Sequence, residues 1–476
     1  MFSGTIRTIL LFVALAAAEA TETEIIVQLF QWRWSDVAQE CETFLGPKGF
    51  GAVQVSPAME QIQGDAWWTS YQPVSYKLQN RLGSESEFES MVATCKKAGV
   101  KVYADAVINH MAAGSGTGTA GSSYGGRNFP GTYGPQDFHH NQNDQGSNCA
   151  VNNYQDKWNV QHCDLVGLPD LDTSSNYVQT TIGNYLKHLS DLGVAGFRVD
   201  ASKHMDDNEL AGILSHAGNP FNYQEVIEGA GEAVHASSYY HNGQVTEFGV
   251  GSQIGMKFKN GGVQYLSTFG QSWGLMPSDD AIAFMDNHDS QRGSATLTYK
   301  DGDKYFAATA FMMAWTYGHV RVMSSYYFGS NDQGPPNSAV HYDGSAHCGP
   351  GTPWVCEHRD PQLANLARWR KEAASGAPAN WHSEGEKISF SRGSKAFIAI
   401  NNEGGTWTTN LQTGLPEGRY CDVAHDDNCD SVVVVDGNGS AQISVNKVVA
   451  IHIGAPATKI WNQAENSANS HRKYLY

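Results

Sequence analysis

Residues 176–204 read NYVQTTIGNYLKHLSDLGVAGFRVDASKH. A helical stretch stops at Gly193, and the apolar run after it ends in Arg198 and Asp200. Residues two apart in a strand face the same way, about 6.6 Å apart along it. Arg198 and Asp200 therefore share one face, and Phe197 and Val199 take the other. Either the two form a neutralising ion pair, or a nucleophile stands beside an anion site. Seven further runs read as strands: EIIVQLFQW (24–32), GAVQVSP (51–57), KVYADAVINH (101–110), NYQEVIEG (222–229), VTEFGV (245–250), AIAFMDNHD (281–289) and VRVMSSY (320–326). Helical patterns lie between them. One, SEFESMVATCKKAG (86–99), opens at a serine with a glutamate behind it and closes at Gly99. Strands alternating with helices imply a parallel sheet, and eight such units imply an α/β fold closed as a (β/α)8 TIM barrel. An open doubly wound sheet fits less well, because no Gly-rich phosphate turn follows the first strand.

The rest of the 476-residue chain is organised around that barrel. Residues 1–20, MFSGTIRTILLFVALAAAEA, carry Arg7, an apolar run and an Ala-x-Ala end. That is a secretory signal pattern, and the run falls short of the roughly 20 residues a membrane span needs. The barrel takes 21–110 and 170–378. Between them, 111–169 is rich in Gly, Ser, Asn and Asp and reads as an inserted subdomain. Residues 379–455 alternate and carry turn residues, so they read as an antiparallel β-sandwich domain, followed by a polar tail, 456–476. Net charge is −17 and the pI about 5.4, which argues against nucleic-acid and acidic-membrane partners and fits a neutral substrate and a cation. The 8 cysteines of a secreted chain favour disulfides over metal ligation. Cys348 with Cys356 and Cys421 with Cys429 could close short loops and Cys149 with Cys163 another, although sequence alone leaves the pairing open.

Catalytic groups of such barrels sit at the C-terminal ends of the strands. Those ends carry Asp105, Asp200, Glu225 and Asp289. One acid there is often a helix cap, but four on one rim repel each other unless they are paired or used. Two carboxylates about 5–5.5 Å apart cleave a glycosidic bond by double displacement, one attacking the anomeric carbon and the other protonating the leaving oxygen. The loop DAWWTSYQP (65–73) adds Trp67, Trp68 and Tyr71, rings suited to sugar faces in a setting too polar for core packing.

DAVINH, GFRVDASKH, EVIEG and FMDNHD resemble, in this order, the four signature regions of the α-amylase family. PKGFGAVQVSP, GVAGFRVDASKHM and VRVMSSY are closer still to its animal-type, chloride-dependent members, and the likeness runs from about residue 25 to 454. The resemblance implies a secreted, extracellular α-amylase that hydrolyses internal α-1,4-glucosidic bonds of starch and glycogen with retention. It implies Asp200 as nucleophile, Glu225 as general acid/base and Asp289 as transition-state stabiliser. Trp67, Trp68, Tyr71, Gln72, His110, Lys203, His204 and His288 would contact substrate, and Asp105 would orient the site. Taken alone, each histidine would read as a satisfied rim residue and Lys203 as a solvated one; their place in the signature regions reverses that. Implied calcium ligands are the Asn109 side chain, the Asp170 carboxylate and the carbonyls of Gln161 and His204, oxygens suited to a hard cation. Related animal enzymes often carry arginine where Gln161 stands. Implied chloride ligands are Arg198, Asn287 and Arg321. A halide between two guanidiniums would leave Asp200 free to attack and set a fixed negative charge near Glu225. Such a charge favours the protonated form of a carboxyl, which a general acid needs. The implied disulfides are Cys41–Cys95, Cys149–Cys163, Cys348–Cys356 and Cys421–Cys429.

The chain departs from the vertebrate pattern in two places. DSQRGSATLTYKDGDKY (289–305) lacks the Gly-rich loop after the seventh strand, and an extra disulfide near the aromatic loop is missing. The α-glucan is the expected partner, with no nucleic acid or membrane, and the expected form is a monomer. An α-glucosidase or transglycosylase would use the same carboxylates and differ in products. An inactive glucan-binding relative would have lost one of the three acids, and a metal phosphohydrolase would need a paired metal site whose ligand spacing is not present. One glycosylation sequon, Asn438-Gly439-Ser440, lies in an expected turn.

Overall fold

The computed structural model describes residues 23–139 and 149–457. The signal segment 1–20 and all but the first two residues of the tail lie outside the described residues. The eight expected runs form the strands β1 (Ile25–Leu29), β2 (Ala52–Val55), β3 (Lys101–Ala106), β4 (Gly196–Val199), β5 (Phe221–Gln224), β6 (Gln244–Glu247), β7 (Ala281–Ala283) and β8 (His319–Ser324). They pair in parallel as one closed barrel, with β8 returning to β1 in a register that sets Ile26 against Arg321. Nearly every strand residue is buried, the polar ones included: Gln28, Gln54, Asp105, Arg198, Gln224 and Arg321 all lie inside. Inside the barrel Ile26, Ala52, Tyr103, Tyr223, Ile282 and Phe284 pack as one apolar layer.

The helices α1 (Trp34–Glu40), α2 (Glu85–Lys97), α3 (Asn176–Asp191), α4 (Asp207–His216), α5 (Phe248–Asn260), α6 (Asp303–Ala314) and α7 (Leu366–Glu372) cover the strands. In α3, Val178, Ile182, Tyr185, Leu186 and Leu189 make the buried stripe, at helical spacing. Glu40 of α1 is wholly buried and accepts from His341, His358 and Arg359, tying the first helix to the segment after β8.

Three local expectations are corrected. The cap of α2 is Ser84, not Ser86: Ser84 and Glu87 form a reciprocal capping box, and a box needs its glutamate three residues on. The run 245–250 is strand only as far as Glu247, whose carboxylate takes Gly249 N–H at 2.8 Å and so starts α5 at once. The eight units are also unequal. The crossover from β5 to β6 contains no α-helix, only the single 3₁₀ turn Ala236–Tyr239.

After the barrel, eight strands run from Pro378 to His452, joined entirely by antiparallel pairing. They enclose a separate core that includes Phe397, Trp407, Leu411, Val445 and Ile451. All four expected disulfides are present, and no cysteine is free. Asn438 is exposed in a turn, as expected.

Candidate active site

The parallel register builds the centre of the rim. Asp105 on β3 is the register neighbour of Arg198 on β4, so their side chains emerge at one level. Arg198 is 1% exposed; its Nη1 donates to Asp105 Oδ1 at 2.7 Å and to Asp200 Oδ1 at 2.9 Å. Its Nη2 lies 2.6 Å from Glu225 Oε1, close enough to pair but out of hydrogen-bonding alignment. Of the two readings of the opening stretch, this geometry shows the ion pair. The expectation that Asp200 is spared as a partner of Arg198 is corrected: a single guanidinium serves three buried carboxylates, and Asp200 is one of them. Glu225 sits where β5 ends, and its Oε2 accepts Ala201 N–H at 3.1 Å.

Four carboxyls crowd around Arg198, and each makes it harder for its neighbours to ionise. Burial raises Asp200 well above the usual carboxylate range, against the pull of Arg198, and Glu225, Asp105 and Asp289 add to the rise. Asp289 is raised by partial desolvation and by Glu225, although its side chain is 43% exposed at the rim and water limits that rise.

The histidines are held neutral. Burial takes His110 down to about 4, and burial with three nearby guanidiniums takes His288 well below its ordinary value. Gln28 Nε2 faces His288 Nδ1 at 3.1 Å, which assigns the ring hydrogen to Nε2, 3.2 Å from Asp289 Oδ2. Tyr71 stacks on His288 with ring centres 5.0 Å apart and donates to Asp105 Oδ2 at 2.8 Å. His110 Nε2 donates to Tyr71 O at 3.0 Å.

These groups line a cavity of about 340 Å³ that unites Trp67, Trp68, Tyr71, Gln72 and His110 with Asp200, Glu225, His288 and Asp289. A second compartment of about 370 Å³ shares Glu225 and Asp289 and adds Lys203 and His204. Together they bring every expected catalytic and substrate-contacting residue into one cleft. Sequence reasoning missed several of its walls. Tyr154 lies under Lys203, whose Nζ is 4.4 Å from the ring centre, and Glu232 pairs with the same lysine. Val166 is 85% exposed at φ 46°, rare for a β-branched residue. Only an aromatic within an Asn-rich loop could have hinted at Tyr154. Nothing marked Glu232 or Val166.

The expected ion ligands fall into two groups. Around Asp170, one carboxylate oxygen is buried without a hydrogen-bond partner, while the other meets His139 Nδ1 at 2.7 Å. Asn109 directs its amide nitrogen at His110 Nδ1, 3.3 Å away, leaving its oxygen available. His204 Nδ1 faces Val160 O, next to Gln161, at 2.9 Å, so the short helix Lys157–His162 touches the 3₁₀ turn Ser202–His204. An orphaned oxygen and oxygen-only donors suit a hard cation. Among the described residues no three His, Cys, Asp or Glu side chains converge as a metal site, and the expected set asks for only one carboxylate. In the barrel interior, Arg321 is 1% exposed and gives Nη1 to Gln54 Oε1 at 3.0 Å; its Nε and Nη2 have no partner. Burial lowers this guanidinium. No carboxylate pairs with it among the described residues, and a small anion matches that need. Asn287 spends its Oδ1 on the backbone N–H groups of Asp289 and Ser290.

Comparison with known proteins gives one answer. Residues 44–212 match the family model "Alpha amylase, catalytic domain", and residues 380–454 match "Alpha amylase, C-terminal all-beta domain". The chain is 45% identical to an α-amylase of Tenebrio molitor over 472 residues, 90% of this chain and 97% of the relative. It is 43% identical to a pancreatic α-amylase of Sus scrofa over 483 residues, 90% of this chain and 94% of the relative. The crystal structure of wild-type α-amylase I from Eisenia fetida superposes with a TM-score of 0.83 at 40% identity, covering 90% of this chain and 97% of that one. A mutant of that earthworm enzyme in complex with maltohexaose gives 0.84 at the same identity and coverage.

Proposed function

This chain belongs to the α-amylase family of glycoside hydrolases and hydrolyses internal α-1,4 bonds of glucans, and from that premise we propose how its own residues carry out the reaction. The observation that carries the proposal is the sharing of Arg198 by Asp200 and Glu225. Two carboxylates on one guanidinium fit the roughly 5–5.5 Å spacing of retaining pairs better than the ~6.5–9.5 Å of inverting pairs.

In the first displacement Asp200 attacks the anomeric carbon while Glu225 gives its proton to the glycosidic oxygen. The C–O bond breaks, the aglycone leaves as an alcohol, and a glycosyl ester on Asp200 remains. In the second, Glu225 takes a proton from water, the water oxygen displaces Asp200, and the sugar departs with its original configuration. Asp289 faces the positive charge that develops on the ring. Neutral His110 and His288 hold sugar hydroxyls, and Trp67, Trp68 and Tyr71 form the platform. A glucan lying along both compartments is cut internally, with Lys203, Tyr154 and Glu232 on its leaving side.

Asn109, Asp170 and the carbonyls of Gln161 and His204 would hold calcium, which braces the 111–169 subdomain against the barrel. Arg321, Arg198 and Asn287 would hold chloride, which supplies a fixed negative charge inside the barrel. Arg198, shared by Asp200 and Glu225, is the residue through which that charge would reach the catalytic pair. The signal pattern at 1–20 and the four disulfides support secretion into an oxidising compartment. No helix among the described residues is long and apolar enough to cross a membrane.

The chloride assignment has a direct test. Exchanging chloride for gluconate at constant ionic strength is expected to lower kcat about 10- to 100-fold, the scale of a general-acid contribution. Arg321→Gln is expected to have a low rate that no longer responds to chloride. A wild-type rate indifferent to chloride would remove the anion from the account and leave Arg198 as a plain ion-pair partner.

A further inference from the structure

A further cavity lies outside the catalytic cleft. About 560 Å³ opens beside the β5–β6 crossover, where the other parallel connections place an α-helix and this one has a single turn. Its boundary continues that of the cleft, because Glu228 and Gly229 line both this cavity and the leaving-side compartment. The Tyr240 and Phe248 rings and the side chains of Leu275 and Met276 give it apolar walls. Phe248 is held edge-on against Phe284, ring centres 5.0 Å apart. The polar groups are acceptors fixed in place. Glu228 takes His235 Nδ1 and Ala236 N–H, each at 2.8 Å. Glu247 is 8% exposed and takes Gly249 N–H at 2.8 Å and Met276 N–H at 2.9 Å. No lysine, arginine or histidine is among the described residues that line it.

Rings and apolar faces beside fixed carboxylates, without a cation, suit a neutral polyhydroxylated ligand and exclude phosphorylated or acidic ones. We propose that this cavity is an auxiliary glucan-binding site, entered over Glu228 and Gly229 by the leaving-side continuation of a long α-glucan chain. It rests on the glucan reading of the adjoining cleft. Contacts so far from the reacting bond are equal in the ground and transition states, so they lower KM and leave kcat alone.

The test compares the full-length secreted enzyme with Tyr240→Ala, which removes a ring, and Ala230→Leu, which intrudes on the cavity from an exposed position. Initial rates are measured on maltotetraose, whose few units are spent in the catalytic cleft, and on soluble amylose. The expected result is a KM for amylose raised about three- to tenfold in both variants, the scale of an aromatic contact, with kcat and the maltotetraose rates unchanged. Amylose KM values equal to wild type in both variants would overturn the proposal. So would an equal loss on both substrates, which would mark a merely structural role. A wild-type enzyme that fails to cleave maltotetraose would instead count against the reading of the cleft itself.

Discussion

Asp200→Asn is expected to lower kcat on maltooligosaccharides on the order of 10⁴-fold or more, with little change in folding. Asparagine keeps the shape of the side chain and can still accept from Arg198 Nη1, now 2.9 Å from Asp200 Oδ1, so packing around a residue only 7% exposed survives. What disappears is the nucleophile. A carboxamide oxygen attacks an anomeric carbon poorly, and Glu225 cannot stand in for it while serving as the acid. Because the loss falls on an interaction made only in the transition state, KM should move little. The check is a steady-state comparison of freshly purified variant and wild type, alongside their melting temperatures. A residual rate above a few per cent in a folded variant would remove Asp200 from the nucleophile's role.

Arg198→Gln is expected to cost stability as well as rate. Asp105, Asp200 and Glu225 all lean on this one guanidinium, and two of them contact Nη1 alone. Breaking a buried pair leaves an uncompensated charge worth about 3–5 kcal/mol, and three partners place this case at the upper end. The pH dependence carries a definite sign. Asp105 and Asp200 have carboxyls raised in the folded protein, mainly by burial, so the folded state binds more protons than the unfolded one and stability declines as pH rises. Arg198 opposes that rise for both groups. Without it the decline steepens, so the deficit of the variant should be larger at pH 8 than at pH 5. Melting temperatures at the two values, with calcium and chloride held constant, decide the point. A deficit that is equal at both, or larger at pH 5, would mean that the guanidinium does not act through these carboxylates.

The barrel was legible in the sequence because short stretches with apolar residues alternate with helices that have clear stops such as Gly99 and Gly193. The rim acids were legible because each lies at or near the C-terminal end of a strand. What remained hidden was set by tertiary geometry. The two-residue spacing of Arg198 and Asp200 predicted a shared face, but only the β3–β4 register brings Asp105 into the same ion cluster. The strand pattern of 245–250 continued beyond Glu247 because Phe248 and Val250 are apolar for a different reason, serving α5 rather than the sheet. Tyr154 and Glu232 came from irregular segments with no periodicity to read, so their part in the cleft emerged only when Lys203 was seen between them. The missing helix after β5 was equally silent, since residues 225–243 contain no pattern that announces its absence.

The central claim is that Asp200 and Glu225 work as a retaining pair. The most direct measurement is a proton NMR time course of maltoheptaose digestion with calcium and chloride present, reading the anomeric signals of new reducing ends within the first minutes, before mutarotation. The account predicts that α-anomers appear first and come from internal cleavage. β-Anomers appearing first would contradict it, because they would mean a single inverting displacement by water.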